Sequence, residues 1–428
     1  MLAPRSDVRI AGGGPAGLLL ALLLGRHPEL NVHVHERAAI AENFSARSYA
    51  IALNPRGIGA LERAGGAVVD ELRTLAGETA REVEVRVPGC PPSVNPRAPS
   101  LRVTRPSLVE CLSRRLAQEA SVAVHLGSAV EGLRRVGGGQ LEIDISDSRT
   151  ARCSHLVGCD GKWSRVRASA DLLACAEKTP TGWQPELVEE GSWGVLLQPK
   201  PGSAEVPGGL DPERFHVFQS RKNALGLCYA LLVPLPPALG GWHATVVLFE
   251  PILHRDALLA PPAAPEGDGF ARLAAGERTQ WGGGAPAEPS VTPARAAALE
   301  RLVAAELPNF LPVLRYSEIT EWRPRASWVR LGGPTYAAID GRVVLLGDAA
   351  HSMTASMGEG ANTALESAAL LANGVAESLR GWREAGSEPS QLDAALSAAF
   401  CAFGSARVPA ARELQARSAA ASRPRLPP

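Results

Sequence analysis

The strongest constraint on this chain is a glycine-rich turn set between a short strand and a helix at its start. Residues Asp7 to Ala11 form a mostly apolar run, followed by Gly12-Gly13-Gly14-Pro15-Ala16-Gly17 and the apolar stretch Leu18 to Leu24. Asn31 to Glu36 then alternates, with Val32 and Val34 on one face, which predicts a second parallel strand. The first 36 residues therefore read as one βαβ unit. In Gly12-x-Gly14-x-x-Gly17 the first glycine allows the tight turn, the second lets the backbone approach a pyrophosphate, and the third lets helix and strand pack closely. The helix N-terminus offers free N–H groups and positive potential to phosphates. Glu36 lies 19 residues past Gly17, where a carboxylate at the end of the second strand can bind both ribose hydroxyls. It also disfavours a ribose 2′-phosphate, so the expected tenant is FAD or NAD rather than NADP. The competing reading is a glycine turn with a solvated glutamate.

At 428 residues the chain is long enough for two or three domains and needs no metal or disulfide staple. The 44 basic and 44 acidic residues cancel, which gives no support to a nucleic-acid partner. Only four basic residues are Lys, and the abundance of Arg, Ala, Gly and Pro reads as compositional bias. The seven Cys are scattered with no CxxC, so neither a disulfide framework nor a zinc site is expected, and a reducing, most simply cytoplasmic, compartment fits. No signal peptide is read at the N-terminus. Asn223 to Phe249 lacks Asp, Glu, Lys and Arg and could span a bilayer by length. Pro234, Pro236, Pro237 and Gly240-Gly241 interrupt it, however, so two buried antiparallel strands are expected there and no membrane span. His33 and His35 alternate as on a solvated strand face, and no metal site is expected.

Further along, residues 54–75 read as helical, Arg81–Val87 as a strand, Pro88–Ser100 as a Pro-rich loop and Thr104–Glu119 as a helix. Strands are expected at Val122–Leu126, Ala129–Arg134, Leu141–Ser146, Ser192–Pro199 and Arg214–Gln219. Residues 261–293 read as a Gly/Pro/Ala-rich loop insertion, Ala294–Leu307 as a helix, Arg342–Leu346 as a buried strand and Asn362–Leu379 as a helix.

Two further constellations carry chemistry. Gly347-Asp348-Ala349-Ala350-His351 directly follows the Val343–Leu346 strand, so Asp348 falls at a carboxyl end, facing the ligand crevice of an open α/β sheet. Gly358-Glu359-Gly360-Ala361-Asn362 then opens a helix whose positive end suits an anionic ring. Gly158-Cys159-Asp160-Gly161-Lys162-Trp163-Ser164-Arg165-Val166-Arg167 is again strand then turn.

In this order the three motifs resemble the single-component FAD-dependent aromatic monooxygenases of the p-hydroxybenzoate hydroxylase fold. Arg47-Ser48-Tyr49-Ala50-Ile51-Ala52-Leu53 with Arg56-Gly57 is most similar to the kynurenine 3-monooxygenases of that family. The resemblance implies an α/β fold. Its Rossmann-like FAD-binding domain would be drawn from residues 1–80, 100–180 and 320–378. An interleaved mixed or antiparallel β-sheet substrate domain would come from 81–99 and 181–319, and residues 379–428 would add a C-terminal helical region and tail. It implies that Gly12, Gly13, Gly14, Pro15, Ala16, Gly17, Glu36 and Arg37 hold the ADP half of a tightly bound FAD. Arg105, in Val103-Thr104-Arg105-Pro106, would contact FAD, and Gly347 and Asp348 would hold the ribitol chain. Gly358, Gly360, Ala361 and Asn362 would face the ring. Asp160 and Gly161 would tie the FAD site to transient NADPH or NADH docking, and Arg47 would lie near flavin and nicotinamide.

Catalytic or substrate roles are implied for Arg47, Asn362 and Arg81, and His351 is either an acid–base group or a hydrogen-bonded turn residue. The partners implied are O₂ and an aromatic or electron-rich small molecule. Two departures are visible. The segment Ser352–Met357 lacks the family's Pro, and no Tyr occurs between Tyr49 and Tyr229 to help grip a substrate carboxylate. A flavin-dependent oxidase or reductase, an NAD-dependent dehydrogenase, and a non-catalytic FAD-binding protein remain as alternatives.

Overall fold

The structure is a computed structural model that describes residues 5–39, 50–76, 80–189, 192–203, 205–220, 228–249, 256–259, 291–322 and 327–422. Arg47 and most of the expected 261–293 insertion lie outside the described residues.

The expected βαβ unit is present: strand Ser6–Ala11, helix Pro15–Leu24, strand Leu30–His35. The two strands pair in parallel, Val8 opposite Val32 and Ile10 opposite Val34. On its other side the first strand pairs in parallel with His155–Gly158, which in turn pairs in parallel with Val343–Leu345. Three chain segments far apart in sequence thus end side by side at the carboxyl edge of one six-stranded sheet. Val122–His125 and the antiparallel Ala337–Ala338 form its two borders. Helix Pro15–Leu24 is almost wholly apolar because it is covered on several sides. It packs between this sheet, helix Arg105–Leu116 and the long helix Gly360–Glu384.

A mixed eight-stranded sheet forms the second layer. Its order is Ser317–Trp322, Ser192–Pro199, Trp242–Phe249, Cys228–Pro234, Phe215–Gln219, Ala80–Arg86, Ser93–Thr104 and Ala50–Leu53. All neighbours are antiparallel except Phe215–Gln219 with Ala80–Arg86. The uncharged stretch thus supplies two paired strands, as expected. Period-two alternation gives this sheet two faces. Trp242, Ala244, Val246 and Leu248 turn into a core with Phe218, Leu299 and Phe310, while His243, Thr245, Val247 and Phe249 stay half-buried on the other face.

Two expectations are corrected. The Pro-rich segment is a strand from Ser93 onward, not a loop; Pro96 is accommodated beside an irregularity in its pairing with Ala80–Arg86. Residues 54–75 form two helices, Pro55–Glu62 and Gly66–Ala76, because Gly65 takes φ +113° between them.

After Glu384 the chain forms a second long helix, Leu392–Ser422. Among the described residues it is the one helix long and apolar enough, by length and composition, to cross a membrane. Here its buried stripe includes Leu396, Phe400, Arg407, Ala411, Gln415 and Ser418, and it packs along Gly360–Glu384.

Candidate flavin site

The site is assembled from turns that leave the sheet at neighbouring strand ends. Backbone hydrogen bonds stitch them together: Gly12 N donates to His35 O (2.8 Å), Cys159 N to Ala11 O (2.8 Å) and Leu346 N to Gly158 O (2.9 Å). Gly12 adopts φ +107°, and a Cβ there would meet Cys159 O at 2.3 Å, so no other residue fits between these turns. A Cβ at Gly17 would meet Gly12 O at 2.1 Å, which is the close helix–strand approach expected of the third glycine. Beside Gly14 there is room: a Cβ would find only the Arg105 guanidinium, 3.8 Å away. Arg105 begins its helix just after the Thr104–Ser107 capping box, which fixes where the side chain starts.

Glu36 accepts hydrogen bonds from Gly13 N (2.7 Å) and Ala38 N (2.9 Å), so the carboxylate is clipped to the glycine turn. Arg37 beside it is exposed. Pro15 and Ala16 form the first turn of the helix; a Cβ at Gly347 would meet Ala364 Cβ at 3.4 Å and Ala16 Cβ at 3.9 Å. The Gly347–Asp348 turn, the first helix and the start of the long helix therefore meet at one point.

Asp160 Oδ2 caps the following helix by accepting from Arg165 N (2.6 Å) and Val166 N (3.1 Å). Its Oδ1 is buried without a hydrogen-bond partner. Burial pushes the Asp160 carboxyl above the ordinary carboxylate range, against the opposing pull of the Ser164 hydroxyl, the Val166 N–H and Arg167. Gly161 follows at φ +85° with open space around it. Asp348 keeps part of its surface open while protein packs around the rest. That desolvation raises its carboxyl, with Lys162 and then Arg105 opposing. Sequence reasoning passed over Lys162 and Arg167. Arg167 is 3 % exposed and ties two motifs together, donating to Ala349 O (2.6 Å) and Lys162 O (2.8 Å); burial lowers its pKa to about 10. Arg167 closes the Gly158–Arg167 run in sequence, but only the fold reveals its reach across 182 positions.

The Gly358–Asn362 turn is anchored differently from expectation. Gly358 takes φ +66° with open space where a Cβ would sit, Gly360 and Ala361 start the long helix, and all three are at least partly open. Asn362 is 1 % exposed. Its amide donates to Ala52 O (2.9 Å) and Gly358 O (3.0 Å) and accepts from Asn54 N (3.0 Å), so both amide hydrogens are committed to backbone. Glu359 pairs with Arg56 and accepts from Asn54 Nδ2 (3.1 Å). His351 is 1 % exposed and pairs through Nε2 with Ser367 Oγ (3.0 Å). Burial and then the nearby Arg407 lower its pKa to about 3, so the ring is neutral at physiological pH. Arg81 is exposed on its strand. Arg97, which sequence reasoning missed, stacks its guanidinium 4.0 Å over the Phe215 ring, and its Nε is buried without a partner. Burial lowers its pKa, while the charge of Glu359 on the Gly358–Asn362 turn opposes that shift.

These residues fit a flavin dinucleotide: a spacious glycine turn on a helix N-terminus, a buried carboxylate oxygen without a partner, and a second, partly open carboxylate within the field of two cations. The family model described as an FAD binding domain matches residues 5–192 and 318–394. The chain belongs to that family, and FAD is the cofactor its site is built to hold. Among similar proteins is a dialkyldecalin synthase of Streptomyces rugosporus, 26% identical over 90% of this chain and 67% of its own length. A kynurenine 3-monooxygenase of Xanthomonas euvesicatoria is 28% identical over 95% of this chain and 76% of its own. The crystal structure of P. aeruginosa PqsL in complex with 2-aminobenzoylacetate shares the fold, with TM-score 0.67 and 22% identity over 97% of this chain and 95% of that one.

Proposed function

We propose that the protein is an FAD-dependent monooxygenase that uses NAD(P)H and O₂ to hydroxylate an aromatic or similarly electron-rich small molecule bearing an anionic group. The observation that carries this is a pairing of two surfaces. Asn362 ties the Gly358–Asn362 turn to Ala52 on the edge strand of the sheet whose inner strands keep Tyr229, Leu231, Thr245 and Val247 half-buried on one face. An apolar wall beside a redox cofactor suits a flat, water-excluded substrate. The kynurenine 3-monooxygenase name of a relative aligned over 95% of the chain supports the same reading.

When bound, FAD would supply the redox chemistry, with NAD(P)H as reductant and O₂ as oxidant. The chain supplies the rest. The N–H groups of the Gly12–Gly17 turn would receive the pyrophosphate, Glu36 the adenosine ribose, and Asp348 with Arg105 the middle of the dinucleotide. Arg37 would flank the adenosine end and Asp160 with Gly161 the nicotinamide approach, and Arg47 retains its proposed place near flavin and nicotinamide. Asn362 acts as a positioning residue, holding Ala52 and Gly358 in one register. His351 acts structurally, since its nitrogens face the protein interior. Arg97, whose buried Nε lacks a partner, would receive a substrate carboxylate in place of the exposed Arg81.

The test is reconstitution with FAD, followed by parallel measurement of the flavin absorbance, NAD(P)H oxidation, O₂ uptake and oxygenated product. Absence of flavin absorbance after reconstitution refutes the reading. NAD(P)H oxidation without oxygenated product from aromatic acids would favour a reductase or oxidase, the reading that the missing Pro in Ser352–Met357 supports.

A further inference from the structure

The segment that lacks its Pro runs from Ser352 to Met357, between the Asp348 turn and the Gly358 turn. It is held instead by side chains, and most of them come from the far end of the chain. Ser352 Oγ accepts from Val329 N (2.7 Å), and Ser352 O accepts from Gln415 Nε2 (2.7 Å). Ser418 Oγ donates to Thr354 O (3.1 Å), Ser356 Oγ donates to Ser418 O (2.6 Å), and the Thr354 and Ser418 hydroxyls lie 2.6 Å apart. With one proton per hydroxyl, these bonds are compatible when Thr354 Oγ1 donates to Ser418 Oγ, and the Ser356 hydroxyl, which also lies 2.7 Å from Thr354 Oγ1, is shared between that oxygen and Ser418 O. Ser352, Thr354, Gln415 and Ser418 are all buried. Buried polar groups so interlocked specify one conformation, because any slip leaves donors or acceptors unpaired.

We propose that Gln415 and Ser418, on the last turns of the C-terminal helix, are positioning residues for the Ser352–Met357 loop. Through that loop they set the fraction of NAD(P)H turnover that ends in oxygenated product. The inference rests on the monooxygenase reading for its functional consequence, but not for the clamp itself. Arg407 extends the same helix face to the other motif, donating to Ser367 Oγ (2.8 Å), the hydroxyl that also meets His351. The helix therefore braces both ends of the loop.

The test uses the full-length FAD-loaded protein and the variants Thr354→Val, Gln415→Leu, Ser356→Ala and Thr354→Ser, with Arg417→Ala on the exposed face as control. Three quantities are read: product formed per NAD(P)H oxidised, the absorbance envelope of the bound flavin, and Tm. Thr354→Val and Gln415→Leu are expected to lower product per NAD(P)H by about tenfold, the factor that corresponds to orphaning one buried hydrogen-bonding group. They are also expected to shift the flavin envelope. Thr354→Ser, which keeps the hydroxyl, is expected to retain both values. Ser356→Ala, at a half-buried position, serves if the other two variants do not fold. A lowered Tm with unchanged coupling and unchanged flavin envelope would overturn the proposal. If the wild-type protein yields no oxygenated product, the monooxygenase reading fails, and the flavin envelope alone decides for or against the clamp.

Discussion

Asp160 holds one carboxylate oxygen against the start of its own helix and leaves the other buried and unbonded. The charges of Lys162 and Arg105 both act on Asp348 on the neighbouring turn. Truncating either should weaken FAD binding by about tenfold or more in a fluorescence titration, since each would remove a charge-assisted contact. A FAD Kd unchanged in both Asp160→Ala and Asp348→Ala would show that the dinucleotide lies elsewhere. Arg97→Ala should raise KM for a carboxylate-bearing substrate by about tenfold with kcat little changed, and Arg81→Ala should alter neither. Equal effects of the two substitutions would remove Arg97 from the substrate site. The glycines, Glu36 and Asp348 were legible in the sequence because backbone geometry demands them within a few residues of a strand end. Arg97 was not, because its significance comes from Phe215 and Glu359, more than a hundred positions away. The part played by Asn362 was half legible: its place at the turn followed from the motif, but its commitment to Ala52 and Asn54 needed the fold.

At the level of elements, the alternating strands and the long apolar helices could be read from periodicity, whereas Ser93–Thr104 could not. Pro96 and Pro99 argue against a strand on local grounds, and only the neighbours on both sides, Ala80–Arg86 and Ala50–Leu53, make one. The C-terminal helix was expected as a helix, but not as a brace. Its Gly404 explains how closely it packs: a Cβ there would meet Thr335 Oγ1 at 2.6 Å and Ala337 N at 2.7 Å. Gly404→Ala should therefore displace the helix from the Thr335–Ala338 segment and destabilise the fold by about 1–3 kcal/mol, the usual cost of overpacking. Thermal unfolding checks this, and an unchanged Tm would mean that the helix is not packed as described.

For the whole molecule, buried histidines set the acid limit. Burial lowers His35 and His351 to about 3 and His155 and His243 to about 4. Unfolding returns each to about 6.5, so below that pH the unfolded chain binds more protons and stability falls as the pH drops toward 3. Each histidine adds up to about 1.4 kcal/mol of loss per pH unit in that window. The raised carboxyls of Asp160 and Asp348 act in the opposite sense, because as pH falls the folded state takes up their protons before the unfolded chain does. His27, His33, His125 and His216 are lowered by burial as well, so with eight histidines against two carboxyls Tm should be lower at pH 5 than at pH 7.5. Equal Tm values at the two pH values would contradict the neutral buried state of these rings.

The strand order has a consequence for synthesis. The central strand Ser6–Ala11 emerges first, but its neighbour His155–Gly158 comes well over a hundred residues later, and Val343–Leu345 later still. Until then the first βαβ unit has a glycine turn without Asp160 or Asp348 beside it, and an open strand edge. Productive FAD capture must therefore wait until most of the chain has left the ribosome. The bracing helix, whose contacts with the Ser352–Met357 loop begin at Gln415, is among the last elements to arrive. A nascent chain halted before His155–Gly158 would display the unpaired parallel edge of Ser6–Ala11, and chaperone dependence should be greatest there.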